Sequence, residues 1–206
     1  MKKLIMCLGI AGLLTACTPD GKQQSNSQSG EFKYLVDEFA DLKIMRYQVP
    51  EWENLSLQQK EYLYYLGEAA KCGRDIISDQ YFKYNLTIRK TIEAILNSYQ
   101  GDRNTADYQN FVVYAKRVFF SNGIHHHYAE DKFVPEISTD YFAQLVKGSD
   151  ASLLPLSKDE SVDEFLNFIT PVMFDKDLYA VRRSAEDDII KNSCVNFYEG
   201  DLTKGE

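Results

Sequence analysis

The apolar residues of this chain recur mostly every three or four positions, which is the spacing of amphipathic helices. The pattern predicts one long helix over about residues 57–77 and a second over about 80–99. A third begins after Thr105 and ends at Asn122-Gly123, a pair that is typical of helix C-termini. These three segments would form the centre of a helical domain.

Shorter helices and one extended segment complete the pattern. Ser56 with Gln59, and Ser161 with Glu164, have the form of capping boxes that open helices. Other predicted helices lie at Phe32–Phe39, after Thr139 and from Ser184 to about Val195, and an extended piece covers residues 43–49 before Pro50. The predicted fold class is therefore mostly α, with at most a few short strands.

The N-terminus has the pattern of a bacterial lipoprotein leader. Met1-Lys2-Lys3 is a positive n-region, and the apolar run Leu4–Leu14 is too short to span a bilayer. Small residues precede a cysteine in Leu14-Thr15-Ala16-Cys17, as in a lipobox. We expect residues 1–16 to be a signal peptide and Cys17 to be lipidated; the alternative is ordinary cleavage near Ala16, with Cys17 incidental.

The predicted organisation after the leader is a tether followed by one domain. Residues 17–30 are rich in Gln, Ser, Asn and Gly, contain no large apolar residue and predict a disordered tether. Residues 31–206 have the length of a single domain. We expect the protein to be exported and held on a bacterial membrane by lipid on Cys17.

Charge bears on the class of partner, and the cysteine content bears on whether a disulfide can form. The formal net charge is −8, and no basic stripe is present, so the composition argues against nucleic acid. Of the four cysteines, Cys7 leaves with the leader and Cys17 takes lipid. Cys72 and Cys194 remain, either as a disulfide in an oxidising compartment or as two buried free thiols.

The only histidines of the chain are His125-His126-His127. Imidazole is a zinc ligand, but three consecutive residues do not converge on one ion, and a strand places only His125 and His127 on one face. No acid or cysteine lies at a recognisable ligand spacing. We expect no zinc site within this chain, and interpret Asn122, His125 and His127 as residues that line a cleft or pack on neighbours.

Several stretches resemble the N-terminal region of bacterial dipeptidyl peptidase III, the zinc exopeptidase family M49. They cover most of the chain between the tether and Gly200. The stretches that carry the resemblance are Phe39–Pro50, Leu57–Lys60, Glu68–Asp75, Ser121–Tyr128, Asp131–Pro135, Ile169–Met173 and Asn196–Tyr198.

This resemblance implies a helix-rich part of an α+β lobe in an enzyme that releases dipeptides from short peptides. It also implies zinc in full-length members, held by an H-E-x-x-G-H helix and a downstream E-E-x-x-A-E segment. Neither motif occurs here, and no G-x-S-x-G, H-E-x-x-H or phosphate-binding loop is present. We therefore expect a truncated member that has no catalytic residue and is inactive alone. The alternative is a self-standing lipoprotein that binds a peptide or protein partner.

Overall fold

The computed structural model describes residues 32–185, 188–197 and 202. The chain divides into two units, Met1–Lys33 and Tyr34–Glu206, and the elements below belong to the second. The strands are β1 (Leu35–Phe39) and β2 (Leu42–Met45). The helices are α1 (Leu57–Cys72), α2 (Arg74–Tyr81), α3 (Asn85–Ser98), α4 (Ala106–Ser121), α5 (Thr139–Lys147) and α6 (Val162–Phe174). The mostly α prediction is confirmed.

The helix starts at Ser56, Thr105 and Ser161 and the helix end at Asn122 lie where the capping signals placed them. The side chains of Ser56 and Ser161 each accept an N–H three residues later, and Gln59 and Glu164 reciprocate, so both capping boxes form. The side chain of Thr105 likewise accepts the N–H of Tyr108 and caps α4. Asn122 ends α4 in the left-handed region, at φ 55°, a conformation that asparagine tolerates better than most residues.

The core lies between helices α3 to α6. α3 buries three isoleucines, and Phe111 of α4, Phe142 of α5 and Phe165 of α6 are essentially inaccessible to solvent. Each of these helices has one apolar face turned towards the others, as the spacing of three and four residues requires. The largest fully buried apolar side chains are Phe82, Phe111, Phe142, Phe165, Ile88, Ile92, Ile95, Ile124, Leu145, Ile169 and Met173.

The helix predicted at Phe32–Phe39 is wrong. Leu35–Phe39 forms an antiparallel pair with β2, joined through a turn in which Ala40 has φ 49°. Four apolar residues over eight positions are too few to distinguish the two periods, and the strand pairing takes precedence over local spacing. The predicted extended piece at residues 43–49 overlaps β2, so it is confirmed in part.

The helix predicted over residues 57–77 is divided at Gly73, where α1 ends and α2 begins. Gly73 ends α1 with its N–H directed at the Ala70 and Lys71 carbonyls, and glycine is costly inside a helix, so the break falls at this residue. The predicted second helix begins later than expected, at Asn85, because the buried residue Phe82 is extended (φ −168°).

The last predicted helix is also wrong within the described residues. Ile189–Asn192 forms turns, and 193–195 has no regular structure. Cys194 donates its N–H to the Arg182 carbonyl, and Asn196 donates its N–H to the Gln80 carbonyl, so backbone pairing with earlier segments replaces helical bonds at this end. Glu186 and Asp187 of this segment lie outside the described residues.

The predicted signal peptide, Cys17 and tether (residues 1–30) also lie outside the described residues. Over the part of the chain that the structure describes, no helix has both the length and the apolar composition needed to cross a bilayer.

Candidate functional site

Asn85 joins three segments at the end of α4. Its side-chain amide donates to the carbonyls of Ser78 (3.0 Å) and Asn122 (3.4 Å), and its oxygen accepts the N–H of Ile124 at 3.1 Å. Gly123 lies directly against it with φ 156°, and a Cβ there would approach the Asn85 amide nitrogen to 2.1 Å. A side chain at position 123 is therefore excluded by both conformation and space.

His125 points into the protein from this corner. It is 1% exposed, and its Nε2 lies 2.8 Å from the Tyr179 carbonyl. A carbonyl can only accept, so Nε2 carries the proton and Nδ1 is an unprotonated acceptor, which is buried with no hydrogen-bond partner among the described residues. Burial lowers the pKa of His125 to about 4, with a smaller opposing effect from the Tyr179 carbonyl.

His126 is fixed by backbone groups of its own loop. Its Nδ1 accepts the N–H groups of Tyr128 (3.1 Å) and Ala129 (2.9 Å). The ring proton is therefore on Nε2, which donates to Asp41 Oδ2 at 3.3 Å and ties the loop to the turn of the β hairpin. Both nitrogens are occupied in this arrangement.

His127 packs among aromatic rings. It stacks on His126 with centroids 4.5 Å apart and meets Phe120 edge-on at 5.0 Å. Burial and the neighbouring His126 lower the pKa of its ring. The expectation that only His125 and His127 share a face does not describe this corner, since the adjacent rings of His126 and His127 are the ones in contact.

A buried ion pair fixes the far side of the same loop. Arg182 is 3% exposed and donates Nε and Nη2 to the two oxygens of Glu130, at 2.6 and 2.9 Å. Its guanidinium also lies over the Tyr81 ring at 4.1 Å. The hydrogen bonds from Arg182, and secondarily from Arg183, lower the pKa of Glu130 to about 2. The pair is thus charged over the physiological pH range.

The ring of His125 points into the core, whereas the rings of His126 and His127 stack on each other. Among the described residues, no group of three or more His, Cys, Asp or Glu side chains is arranged to hold a metal ion. Sequence reasoning missed Asn85, Glu130 and Arg182, which organise the corner. Fifty-two residues separate Glu130 from Arg182, and no local pattern pairs positions so far apart.

Asn122, the third predicted residue, lies beside a groove that His125 and His127 do not line. The groove has a volume of about 480 Å³, within the usual range of small-molecule pockets. It runs between α2, α3 and the end of α4. Its lining residues are Arg74, Ser78, Asn85, Arg89, Glu93, Leu96, Asn97, Val118, Phe119, Asn122 and Gly123.

Helix α1 is exposed along its whole length. None of its residues is buried, and Tyr62, Tyr65 and Leu66 are 66, 69 and 52% exposed. At 100° per residue, these three side chains and Ala69 lie on one half of the helix surface, while Tyr64 lies on the other. An uncovered apolar helix face of this kind is typical of an interaction surface.

The two remaining cysteines are free thiols. Cys72 is exposed at the end of α1, so the interpretation of two buried thiols is wrong for this residue. Cys194 is partly buried, and burial raises its pKa to about 11. A thiol with a raised pKa is a poor nucleophile near neutral pH.

Comparison with known proteins does not place the chain in a family. No protein-family model matches the sequence, and no curated protein matches it significantly.

Proposed function

We propose that this chain is the non-catalytic, helical part of a dipeptidyl peptidase III-like lipoprotein, anchored to the membrane through Cys17. The resemblance in Ser121–Tyr128 and Asp131–Pro135 supports this proposal, because both blocks fall in the corner that Asn85 and the Glu130–Arg182 pair organise. The role of this part is to present a rigid surface to the segment that holds zinc and cleaves short peptides.

The resemblance carries the family part of this proposal, and the state of the histidines is the observation behind its non-catalytic part. A peptidase zinc site needs three protein ligands and an open coordination position for water. Here His125 donates Nε2–H to a backbone carbonyl, and both nitrogens of His126 are engaged. The loop is built as a packed corner, and the catalytic ligands would come from other segments.

The DNA that follows the codon for Glu206 tests the family assignment. A reading frame there, continuous or shifted, that encodes H-E-x-x-G-H and E-E-x-x-A-E supports the proposal. A locus that encodes neither motif contradicts it.

A biochemical test uses the full chain and a separately expressed polypeptide that carries both zinc motifs of a dipeptidyl peptidase III. We expect zinc-dependent release of dipeptides only when the two are co-expressed. Peptidase activity of the chain alone, abolished by His125→Ala and His127→Ala, would show instead that this chain holds its own zinc.

The exposed face of α1 favours a second candidate, a lipoprotein that binds a protein partner without catalysis. The occupant that fits is an amphipathic helix, because a helix 16 residues long offers Tyr62, Leu66 and Ala69 in one stripe. The paired change Tyr62→Lys and Leu66→Lys should reduce both partner binding and the binding of a hydrophobic dye. Leu57→Lys, on the opposite half of α1 and 73% exposed, is the matched control and should change neither.

A further inference from the structure

The segment from His126 to Asp131, the His126 loop, closes around the imidazole of its first residue. The N–H of His126 donates to the Asp131 carbonyl at 2.7 Å, and the N–H of Glu130 donates to the His126 carbonyl at 3.1 Å. Inside the loop, His126 Nδ1 accepts the N–H groups of Tyr128 and Ala129. A single unprotonated ring nitrogen therefore satisfies two backbone donors and holds the loop in its closed form.

Protonation of this imidazole would remove the acceptor on which the closed form depends. A neutral imidazole has one donor nitrogen and one acceptor nitrogen, whereas an imidazolium has two donors. With a proton on Nδ1, the ring N–H would face the N–H groups of Tyr128 and Ala129. The side chain of His126 is 20% exposed, so water can deliver the proton, and histidine is the side chain that ordinarily changes charge between pH 5 and 8.

The charged groups that face His126 favour an imidazolium on the Nε2 side of the ring. Asp41 Oδ2, in the hairpin turn, lies 3.3 Å from Nε2 and would hold a protonated ring by a charged contact. Arg117 of α4 lies 3.6 Å from the other oxygen of Asp41 and offsets part of this attraction. His127 stacks on His126, and burial lowers its pKa, so its ring stays neutral when His126 takes up a proton. The contact with the hairpin therefore persists in acid, whereas the contacts inside the loop do not.

We propose that the His126 loop is an acid-operated latch, closed while His126 is neutral and open once the imidazole is protonated. Opening releases to water the two backbone N–H groups that Nδ1 holds. The loop remains attached on both sides, because the Nε2 contact with Asp41 gains charge and the Glu130–Arg182 pair stays charged over the same pH range. The latch belongs to the corner itself and does not depend on the family assignment.

The test is an NMR titration of the isotope-labelled full chain from pH 8 to 5. Nitrogen shifts of the His126 ring report which nitrogen carries a proton, and exchange of backbone amides with water reports opening of the loop. We expect Nδ1 to be unprotonated at pH 8. As it takes up a proton, exchange of the Tyr128 and Ala129 amides, corrected for its intrinsic pH dependence, should rise about tenfold or more, the effect of losing two hydrogen bonds. The amide of Ile124, which Asn85 holds, is the control and should stay protected.

Two results of this titration would overturn the proposal. One is protonation of Nδ1 without faster exchange of the loop amides. The other is an imidazole of His126 that stays neutral down to pH 5, because the loop would then be closed at every pH in the range.

The variant His126→Asn separates the latch from a general loss of stability in acid. The carboxamide oxygen of asparagine can accept the N–H groups of the next residues, as in an Asx turn, but this side chain does not titrate. The loop of the variant should therefore stay closed at pH 5, and opening with the pH dependence of the parent would refute the role of His126. His127→Phe is the matched control, since it keeps an aromatic ring against His126 and should open as the parent does.

Asp41→Asn tests the charged contact at Nε2. The substitution leaves the two bonds to Nδ1 in place and removes the charge that favours the imidazolium. The midpoint of opening should move to lower pH by up to about half a unit, as expected for a partly exposed ion pair. An unchanged midpoint would refute this contact as the one that holds the protonated ring.

Discussion

Replacing Asn85 by alanine should destabilise the protein more than any other single amide-to-alanine change in α3. Asn85 is 1% exposed and makes three hydrogen bonds, to Ser78, Asn122 and Ile124. Alanine leaves the buried Ile124 N–H without a partner, whereas the Ser78 carbonyl keeps the N–H of Phe82 at 3.3 Å.

The magnitude follows from the one donor that loses its partner. A buried donor without a partner costs about 1–3 kcal/mol, so the expected loss for Asn85→Ala is about 2 kcal/mol. For a chain of this size, 1 kcal/mol corresponds to about 2–4 °C, so the Tm should fall by about 4–8 °C. The third bond, at 3.4 Å, is long and should add little.

Urea unfolding followed by far-UV circular dichroism measures this loss, with Asn97→Ala as the matched control. Asn97 is an exposed asparagine of the same helix with no hydrogen bond in the described residues, so its replacement should change stability by no more than about 0.5 kcal/mol. Equal midpoints for Asn85→Ala and the parent would refute the claim that Asn85 ties the corner together.

Three further predictions concern the pH dependence of stability, the buried ion pair and the lipid anchor. The pKa of His125 is about 4 in the folded protein, and its ordinary value is 6.5. Between these pH values the unfolded chain binds a proton that the folded protein does not, so stability should fall as the pH decreases from about 6.5 to 4. His125→Gln should remove up to about 3 kcal/mol of that pH dependence in urea titrations. Glu130→Gln leaves Arg182 charged and buried, and should cost about 3 kcal/mol in the same assay, whereas Arg183→Gln at the exposed partner should cost under about 1 kcal/mol; equal losses would refute the distinction. Cys17→Ser should move the protein from the membrane fraction to the soluble fraction on cell fractionation, and unchanged partitioning would contradict the lipidation hypothesis.

Local chemistry made the helix starts predictable. The boxes at Ser56 and Ser161 depend only on residues three positions apart, so the sequence contains all of the interaction. The left-handed end of α4 at Asn122 is local in the same sense. Predictions failed where a short apolar pattern fits both a helix and a strand, as in Leu35–Phe39, whose pairing with the neighbouring β2 is not evident from its spacing. They also failed where a partner lies far along the chain, as for the N–H of Asn196, which donates to the Gln80 carbonyl.

In the candidate site, too, features set by neighbouring residues were predictable and features set by distant residues were not. Sequence identified the histidines and Asn122 as a cluster, because they are adjacent, but not their protonation states or directions. Those are set by Tyr179, Asp41 and Phe120, and the first two lie 54 and 85 residues away from the histidines they contact. The groove was not predictable either, because its lining comes from three helices whose arrangement depends on the core.

The corner and the groove share one structural element, the segment that Asn85 holds. Its amide contacts the Asn122 carbonyl and the Ile124 N–H, on either side of Gly123, and all of these except Ile124 line the groove. Asn85→Ala should therefore disturb the corner and the groove together. Asn122→Gly keeps the backbone carbonyl that Asn85 contacts, and a φ of 55° suits glycine, so this variant should unfold at nearly the same urea concentration as the parent. Equal losses of stability for the two variants would refute the claim that the side chain of Asn85 holds both features.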